Sequence, residues 1–227
     1  PLAEERFSVA PRMVHQYADR VLIRVTGLCA VYCRHCYRRN LTGRWREAIT
    51  MDELLEGIGY IRSTPGIREV LLSGGDPLVL DDDRILSVME AIRRADSNIL
   101  IRLCSRTPVV MPQRITKGLT ASLAALAPLW MVTHFHHPAE ITEESRSALA
   151  RLASSGIPAA NQSVLLRGIN DQPATLSTLF SELLKMGVKP YYLFQGDLAA
   201  GTSHLRVPLK RGMEIYHKLS GGSPVRA

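Results

Sequence analysis

The amino-acid sequence predicts an α/β fold, because six apolar strands alternate with six amphipathic helices along the chain. Such alternation places parallel strands side by side through right-handed crossovers. Six units fit either a partial (β/α)6 barrel of the TIM-like kind or a doubly wound sheet. A closed barrel of eight units needs about 250 residues, more than the 227 residues of this chain.

The six predicted strands are short runs of β-branched and other apolar residues between turn residues. In chain order they span 20–26, 69–73, 98–104, 129–135, 158–166 and 189–194. The predicted helices follow the strands and begin at capping residues or prolines. They span 50–63, 82–94, 116–127, 142–155, 173–186 and 208–219. The clearest start is Thr50-Met-Asp-Glu53, which has the pattern of a capping box.

The domain organisation expected from these elements is one core with two short extensions. Residues 1–19 are a lead-in, residues 20–219 form the core, and residues 220–227 are a small, polar tail that we expect to fray. The opening segment lacks the apolar core of a signal peptide, and no apolar run approaches the roughly 20 residues that span a bilayer. We therefore expect a cytoplasmic protein that does not enter a membrane.

The charge balance indicates anionic small molecules rather than nucleic acid. The net charge is +7, from 28 basic and 21 acidic residues, and a basic balance attracts phosphates and carboxylates. The basic residues form no long block, and aromatic residues make up only 6% of the chain. We expect no nucleic-acid partner.

Three of the four cysteines lie within eight residues, in the pattern Cys29-Ala-Val-Tyr-Cys33-Arg-His-Cys36. Three thiolates in one short loop can bind three irons of a 4Fe–4S cluster and leave the fourth iron open. A zinc site completed by His35 is an alternative, as are unliganded thiols. The fourth cysteine, Cys104, lies on a different predicted strand.

Polar residues follow one predicted strand after another, where ligands of parallel α/β folds bind. Gly74-Gly75-Asp76 follows the second strand, and its glycines allow close backbone approach to a ligand or form an ordinary turn. Arg38 can grip a carboxylate through two parallel hydrogen bonds. Asp197 follows the sixth strand and is either a charge partner or a loop cap. His134 is favoured as a hydrogen-bonding histidine over a metal ligand.

The spacing CxxxCxxC after the first strand resembles the signature of the radical S-adenosylmethionine superfamily. Longer segments resemble the lysine 2,3-aminomutase family, from about His15 to Arg211. These segments are CAVYCRHCYRRNLTG, LLSGGDPL, SRTPVVMPQRIT, THFHHPAEIT, NQSVLLRGIND and KPYYLFQGDL. The resemblance implies a partial (β/α)6 barrel with a radical SAM core, whose open iron is chelated by S-adenosylmethionine.

The resemblance also implies the roles of individual residues. Cys29, Cys33 and Cys36 would ligate the cluster. Arg38 would hold the substrate α-carboxylate, and Asp197 would pair with a side-chain amine, which favours a cationic substrate over glutamate. The residues implied around S-adenosylmethionine are His35 beside the adenine, Ser73, Gly74, Gly75, Asp76, Arg106, His134 and Gln162.

The family also uses pyridoxal phosphate, and here the sequence departs from the pattern. Tyr17 and Arg20 match phosphate-binding positions, whereas Gln16 stands where an arginine is usual. The lysine that would carry the cofactor has no match up to Arg211, so no catalytic residue is assigned. We expect a chain that is truncated at both ends relative to the family.

The activity implied by the resemblance is that of an isomerase. It would interconvert L-lysine and β-lysine by 5′-deoxyadenosyl radical chemistry on a pyridoxal phosphate aldimine. The alternatives are a glutamate or arginine 2,3-aminomutase, or a paralogue that forms β-lysine for elongation factor P. A non-catalytic iron–sulfur or zinc-binding protein is the alternative from another class. Expected partners are an amino acid, an electron donor such as flavodoxin or ferredoxin, and a second copy at an open sheet edge.

Overall fold

The computed structural model describes residues 4–222, which form an open barrel of eight strands in sequence order. The first two strands are antiparallel, and every later pair is parallel. Because the strand order never reverses, the chain winds in one direction as in a TIM barrel. The predicted partial (β/α)6 barrel is therefore confirmed. The strands are Ser8–Ala10 (β1), Met13–Tyr17 (β2), Arg20–Thr26 (β3), Glu69–Gly74 (β4), Leu100–Cys104 (β5), Leu129–Thr133 (β6), Ala159–Val164 (β7) and Val188–Phe194 (β8).

The helices cover the outer face of the sheet between successive parallel strands. The predicted capping box is present: Thr50 Oγ1 accepts from the Glu53 amide at 3.2 Å, and Glu53 Oε2 accepts from the Thr50 amide at 2.8 Å. The helices are Met51–Ser63 (α1), Asp82–Ala95 (α2), Thr107–Val110 (α3), Lys117–Ala124 (α4), Glu143–Ser154 (α5), Pro173–Lys185 (α6) and Leu209–Gly222 (α7). No helix within residues 4–222 is both long enough and apolar enough to cross a membrane.

Two strands were missed in the sequence, and both lie in the lead-in. β1 and β2 form a hairpin through a tight turn at Arg12, whose φ of 57° is left-handed. The hairpin extends the sheet by pairing Met13 with Ile23 of β3, and both side chains are fully buried. At the other end, α7 continues to Gly222, past the expected start of the tail at Ser220. The remaining tail residues, 223–227, lie outside the described residues.

Alternation along the strands separates an apolar outer face from a half-buried inner face. In β3, Val21, Ile23 and Val25 are fully buried, whereas the intervening side chains are half-buried. The buried set packs against apolar side chains of the helices, such as Leu54 and Ile58 of α1. Fully burying each such side chain contributes about 1.5–3 kcal/mol. The inner face stays accessible because the barrel is open between β1 and β8.

Candidate active site

The three clustered cysteines lie in one loop after β3, at the carboxyl end of the barrel. The loop folds tightly, with the Cys36 amide donating to the Cys33 carbonyl at 3.1 Å. All three are free thiols and partly buried. Burial, reinforced by the nearby Asp76 carboxylate, raises the pKa of the Cys29 thiol to about 12, and burial also raises the pKa of Cys36. Ligand binding by these cysteines therefore has to release protons.

The donor set is chemically suited to a cubane cluster. Within residues 4–222, no three His, Cys, Asp or Glu side chains converge tightly enough to hold one metal ion. A cubane makes no such demand, because each thiolate binds a different iron. Three thiols on one short loop would leave the fourth iron to a small molecule. The cluster remains the prediction for Cys29, Cys33 and Cys36.

Arg106 connects the cysteine loop to the opposite side of the barrel mouth. Its Nη1 atom donates to Cys33 Sγ at 2.8 Å, and its Nη2 atom pairs with Glu140. Glu140 is held by the backbone amides of His136 and His137, at 2.5 and 3.2 Å. The positive charge of Arg106 therefore lies directly against a predicted cluster ligand. The sequence placed Arg106 near the site but gave no sign of this contact.

The two glycines after β4 allow the chain to approach itself. A Cβ atom on Gly74, which has a φ of +119°, would lie 2.4 Å from the Thr26 carbonyl oxygen. A Cβ atom on Gly75 would lie 2.0 Å from the Leu28 carbonyl oxygen. The Gly75 amide donates to Thr26 O at 2.6 Å, and the Asp76 amide donates to Leu28 O at 2.7 Å. The two glycines thus allow the end of β4 to pack directly against the start of the cysteine loop.

The Asp76 side chain ties the end of β4 to the end of β5. Its Oδ1 atom accepts from the Leu78 amide at 3.0 Å and from the Ser105 hydroxyl at 2.6 Å. Its Oδ2 atom accepts from the amides of Arg106 and Thr107, at 2.9 and 3.1 Å. Burial raises the pKa of this carboxyl, and these donors oppose that effect. A direct contact of Asp76 with S-adenosylmethionine stays a prediction.

Three histidines with lowered pKa values, His35 of the cysteine loop and His134 and His136 after β6, lie at the barrel mouth. Desolvation and the nearby Arg106 charge lower the pKa of both His35 and His134 to about 4. The rings of His35 and His136 meet edge to face at 4.6 Å between centroids. The His136 Nδ1 atom accepts from the Val164 amide at 3.1 Å. Neutral rings suit hydrogen bonding and stacking with an aromatic base.

Gln162 lies beside this group, at an irregularity in the pairing of β7 with β8. The His134 ring hydrogen-bonds to the Gln162 backbone. The preceding Asn161 is fully buried and bridges to β6, accepting from the Phe135 amide at 2.7 Å and donating to the Phe135 carbonyl at 3.1 Å. Asn161 therefore holds the ends of β6 and β7 together. The structure thus keeps Gln162 close to His134, and the contact of either residue with S-adenosylmethionine stays a prediction.

Arg38 lies buried next to Ser73, in contact with a carboxylate that the sequence did not single out. Its Nη1 atom donates to Ser73 Oγ at 3.0 Å, and its Nη2 atom lies 2.8 Å from Glu4 Oε1. Desolvation, together with the Glu4 charge, raises the pKa of the Asp197 carboxyl. Glu4 precedes Arg38 by 34 positions, and no local pattern links the two. Of the two predicted substrate-binding residues, Arg38 therefore contacts Glu4 directly, and Asp197 senses the Glu4 charge.

Tyr17 and Arg20 lie at the opposite, amino-terminal end of the inner face. The Arg20 guanidinium lies 5.5 Å from the centroid of the Tyr17 ring. Arg20 is already paired with Asp19, through contacts of 2.8 and 2.9 Å, and lies 4.0 Å from Glu69. The structure therefore brings together the two residues that match phosphate-binding positions, within a network of ion pairs.

A second arginine on the same face was not predicted from the sequence. Arg102 of β5 pairs with Glu69 at 2.7 Å and lies 5.6 Å from the centroid of the Tyr191 ring. The Tyr191 and Tyr192 hydroxyls lie 3.4 Å apart. The alternation of half-buried positions in β5 was the signal that could have identified Arg102 as inward-facing.

A pyridoxal phosphate site also requires a lysine, and the residues present do not supply one. Each of the five lysines of the chain is exposed to solvent. They are Lys117, Lys185, Lys189, Lys210 and Lys218. For such a site the chain thus offers only Tyr17 and Arg20, whose role in binding the phosphate stays a prediction.

Comparison with known proteins identifies the family. Residues 23–179, more than half of the chain, match the Radical SAM superfamily. The chain belongs to this superfamily. The match covers the cysteine loop, the glycine segment, Arg106, His134 and Gln162, so the predicted family membership is confirmed.

The similar curated proteins are aminomutases. The chain is 45% identical over 221 residues to the L-lysine 2,3-aminomutases of Fusobacterium nucleatum and Clostridium subterminale. It is 42% identical over 221 residues to the glutamate 2,3-aminomutase of Clostridioides difficile. These alignments cover 97% of this chain but only 52–53% of the relatives. The chain thus spans about half the length of the curated relatives it matches.

Solved structures of radical SAM proteins share the fold. Streptococcus suis SuiB bound to S-adenosylmethionine matches with a TM-score of 0.67 at 11% identity, over 93% of this chain and 49% of SuiB. A radical SAM methyltransferase from Sphaerobacter thermophilus matches with a TM-score of 0.66 at 15% identity, over 93% of this chain and 67% of that protein. At these identities the likeness concerns the barrel alone.

Proposed function

We propose that this chain is the radical-generating core of an amino acid 2,3-aminomutase, an isomerase, and that its substrate is L-lysine. The observation that carries the proposal is the grouping at one barrel mouth. The three-cysteine loop, Arg38 and Asp197 lie at the carboxyl ends of the strands, in a chain 45% identical to lysine 2,3-aminomutases. A 4Fe–4S cluster and S-adenosylmethionine, when bound, supply the 5′-deoxyadenosyl radical that removes a hydrogen from the amino acid.

The residues of this chain bind and orient the amino acid. Arg38 is suited to the α-carboxylate because a guanidinium offers paired donors in a rigid plane. Asp197 is suited to an ammonium group at the other end of the substrate. Partial desolvation raises the pKa of Asp197 because it disfavours the ionised carboxylate, and a bound cation would stabilise that carboxylate. An anionic side chain would disfavour the carboxylate further, so the site favours lysine over glutamate.

Pyridoxal phosphate belongs to the proposal only as the cofactor that the aminomutase relatives imply. Tyr17 and Arg20 supply a place for its phosphate, but the five exposed lysines leave its covalent attachment without a candidate. No step proposed here depends on it.

The substrate has alternatives, and the location, the electron donor and the association of copies are also proposals. The relative from Clostridioides difficile makes glutamate the second candidate substrate, and arginine is the third because its side chain is also cationic. A paralogue forming β-lysine for elongation factor P would use the same site residues. We further propose a cytoplasmic location, a flavodoxin or ferredoxin as electron donor, and association of copies through the open sheet edge.

The test is an anaerobic assay. The chain is reconstituted with iron and sulfide and then given dithionite, S-adenosylmethionine, pyridoxal phosphate and L-lysine. Mass spectrometry follows 5′-deoxyadenosine and β-lysine, with Cys33→Ala as the control. We expect both products from the wild type and neither from the variant. Formation of 5′-deoxyadenosine alone would retain the radical core but reject the aminomutase. A chain that takes up zinc and forms neither product would be a non-catalytic metal protein.

A further inference from the structure

The carboxylate of Glu4 occupies one edge of the Arg38 guanidinium inside the candidate substrate site. Arg38 Nη2 lies 2.8 Å from Glu4 Oε1, and Arg38 Nε lies 3.2 Å from both carboxylate oxygens. Only 7% of the Arg38 side chain and 12% of the Glu4 side chain are exposed. Breaking such a buried pair would strand a charge, so the contact fixes the plane of the guanidinium.

Two N–H groups of Arg38 are not used by Glu4 or Ser73 and can donate to a second carboxylate. A guanidinium carries five N–H groups. Glu4 takes one from Nε and one from Nη2, and Ser73 takes one from Nη1 at 3.0 Å. One N–H group is left on each terminal nitrogen. These two can donate end-on to the oxygens of a carboxylate while Glu4 keeps the side-on edge.

We propose that Glu4 is a positioning residue for substrate recognition: it holds the side-on edge of Arg38 so that the opposite edge meets the α-carboxylate of the amino acid. The inference rests on the proposed function, because it takes Arg38 as the carboxylate clamp. Tyr37 supports the arrangement, since its ring lies 4.7 Å from the Arg38 guanidinium and its hydroxyl donates to Glu4 at 3.5 Å.

The experiment compares Glu4→Gln with Glu5→Gln, a matched control at the neighbouring, solvent-exposed glutamate. Equilibrium binding of L-lysine to the cluster-reconstituted chain is measured with S-adenosylmethionine present. We expect Kd to rise about tenfold in Glu4→Gln, a typical coupling between contacting groups, and to stay unchanged in Glu5→Gln. Binding of 1,5-diaminopentane, which lacks a carboxylate, should be the same in all three proteins. In an Arg38→Gln background, Glu4→Gln should cause no further loss.

Three results would overturn the inference. Lysine binding by Glu4→Gln that is unchanged or tighter would make Glu4 a bystander or a competitor of the substrate. A loss that persists in the Arg38→Gln background would indicate a general structural role. Absence of lysine binding by the wild type would remove Arg38 as the clamp. If Glu4→Gln does not fold, Glu4→Asp keeps the charge on a shorter side chain, and its loss of affinity must again require Arg38. Arg38-dependent lysine binding without β-lysine formation would reject only the proposed function.

Discussion

Charge at single residues controls the chemistry that the barrel mouth can support. Arg106 lies 2.8 Å from Cys33 Sγ, and Arg38 is held by Glu4. Desolvation, reinforced by the Glu4 charge, raises the pKa of Asp197. Arg38 is buried and Arg106 is partly buried, each against an anion or a sulfur, so removing one member leaves the other without compensation. These contacts join residues far apart in sequence, and only their types could be inferred from it.

At Asp197, the structure predicts how lysine binding depends on pH. Partial desolvation raises the pKa of this carboxyl above its usual value of about 3.9. Lysine binds the ionised form, so affinity should fall on acidification, beginning at a higher pH than for an ordinary aspartate. Asp197→Asn should raise KM for lysine about 10- to 100-fold and abolish this pH dependence. Steady-state kinetics across mildly acidic pH check both expectations; a variant that keeps the wild-type KM would exclude Asp197 from substrate binding.

At Arg106, the structure predicts the reduction potential of the cluster. Hydrogen bonds and positive charge at cysteine sulfurs stabilise the reduced, more negative cluster. Arg106→Gln should therefore shift the midpoint potential to a more negative value, as measured by a redox titration followed by electron paramagnetic resonance. Arg46→Gln, at an exposed arginine beyond the cysteine loop, is the control and should not shift it. An unchanged potential in Arg106→Gln would mean that the contact is lost once the cluster is bound.

At the scale of elements, the ends of β3, β4 and β5 are joined by backbone contacts that shape the site. Most of these strands could be predicted, because their apolar runs and turn residues are local signals. The β1–β2 hairpin could not, since its strands have only three and five residues and depend on pairing with β3. The glycine segment was identified from its residues. That its neighbours are Thr26 and Leu28 follows only from the packed structure.

Two glycine substitutions separate close packing from helix propensity. Gly75→Ala would place a Cβ atom 2.0 Å from the Leu28 carbonyl oxygen, whereas Gly59→Ala in α1 meets nothing within 4 Å. Gly75→Ala should lower the free energy of unfolding by at least about 3 kcal/mol. Gly59→Ala should raise it by about 0.5–1 kcal/mol. Denaturant unfolding compares the two, and equal stabilities would contradict the packing described for β4.

Asp76 gives a second test of the same junction. Asp76→Ala removes the acceptor of four donors, from Leu78, Ser105, Arg106 and Thr107. Leaving buried donors unpaired should cost about 2–4 kcal/mol of unfolding free energy. The control Asp83→Ala, at an exposed position in the first turn of α2, should cost less than about 1 kcal/mol. A thermal melt that shows equal losses would refute the structural role of Asp76.

Across the whole molecule, the open barrel collects polar groups at its carboxyl end and keeps a half-buried, arginine-containing inner face. The alternation of strands and helices left a partial barrel and a doubly wound sheet open, the family resemblance implied the barrel, and the strand order confirms it. The cysteine spacing predicted the cluster site, because three ligands within one loop need no long-range information. Glu4, Arg102 and the Arg106–Cys33 contact could not be predicted, since each depends on residues brought together by the fold.

The proposed function requires that this barrel directs a deoxyadenosyl radical to the β-carbon of lysine. The most direct test uses L-lysine deuterated at C3 with the reconstituted chain, under reducing and anaerobic conditions. We expect deuterium to appear in 5′-deoxyadenosine, and we expect Cys33→Ala and Arg38→Gln to abolish this transfer. Production of 5′-deoxyadenosine without deuterium, at the same rate with and without lysine, would contradict it.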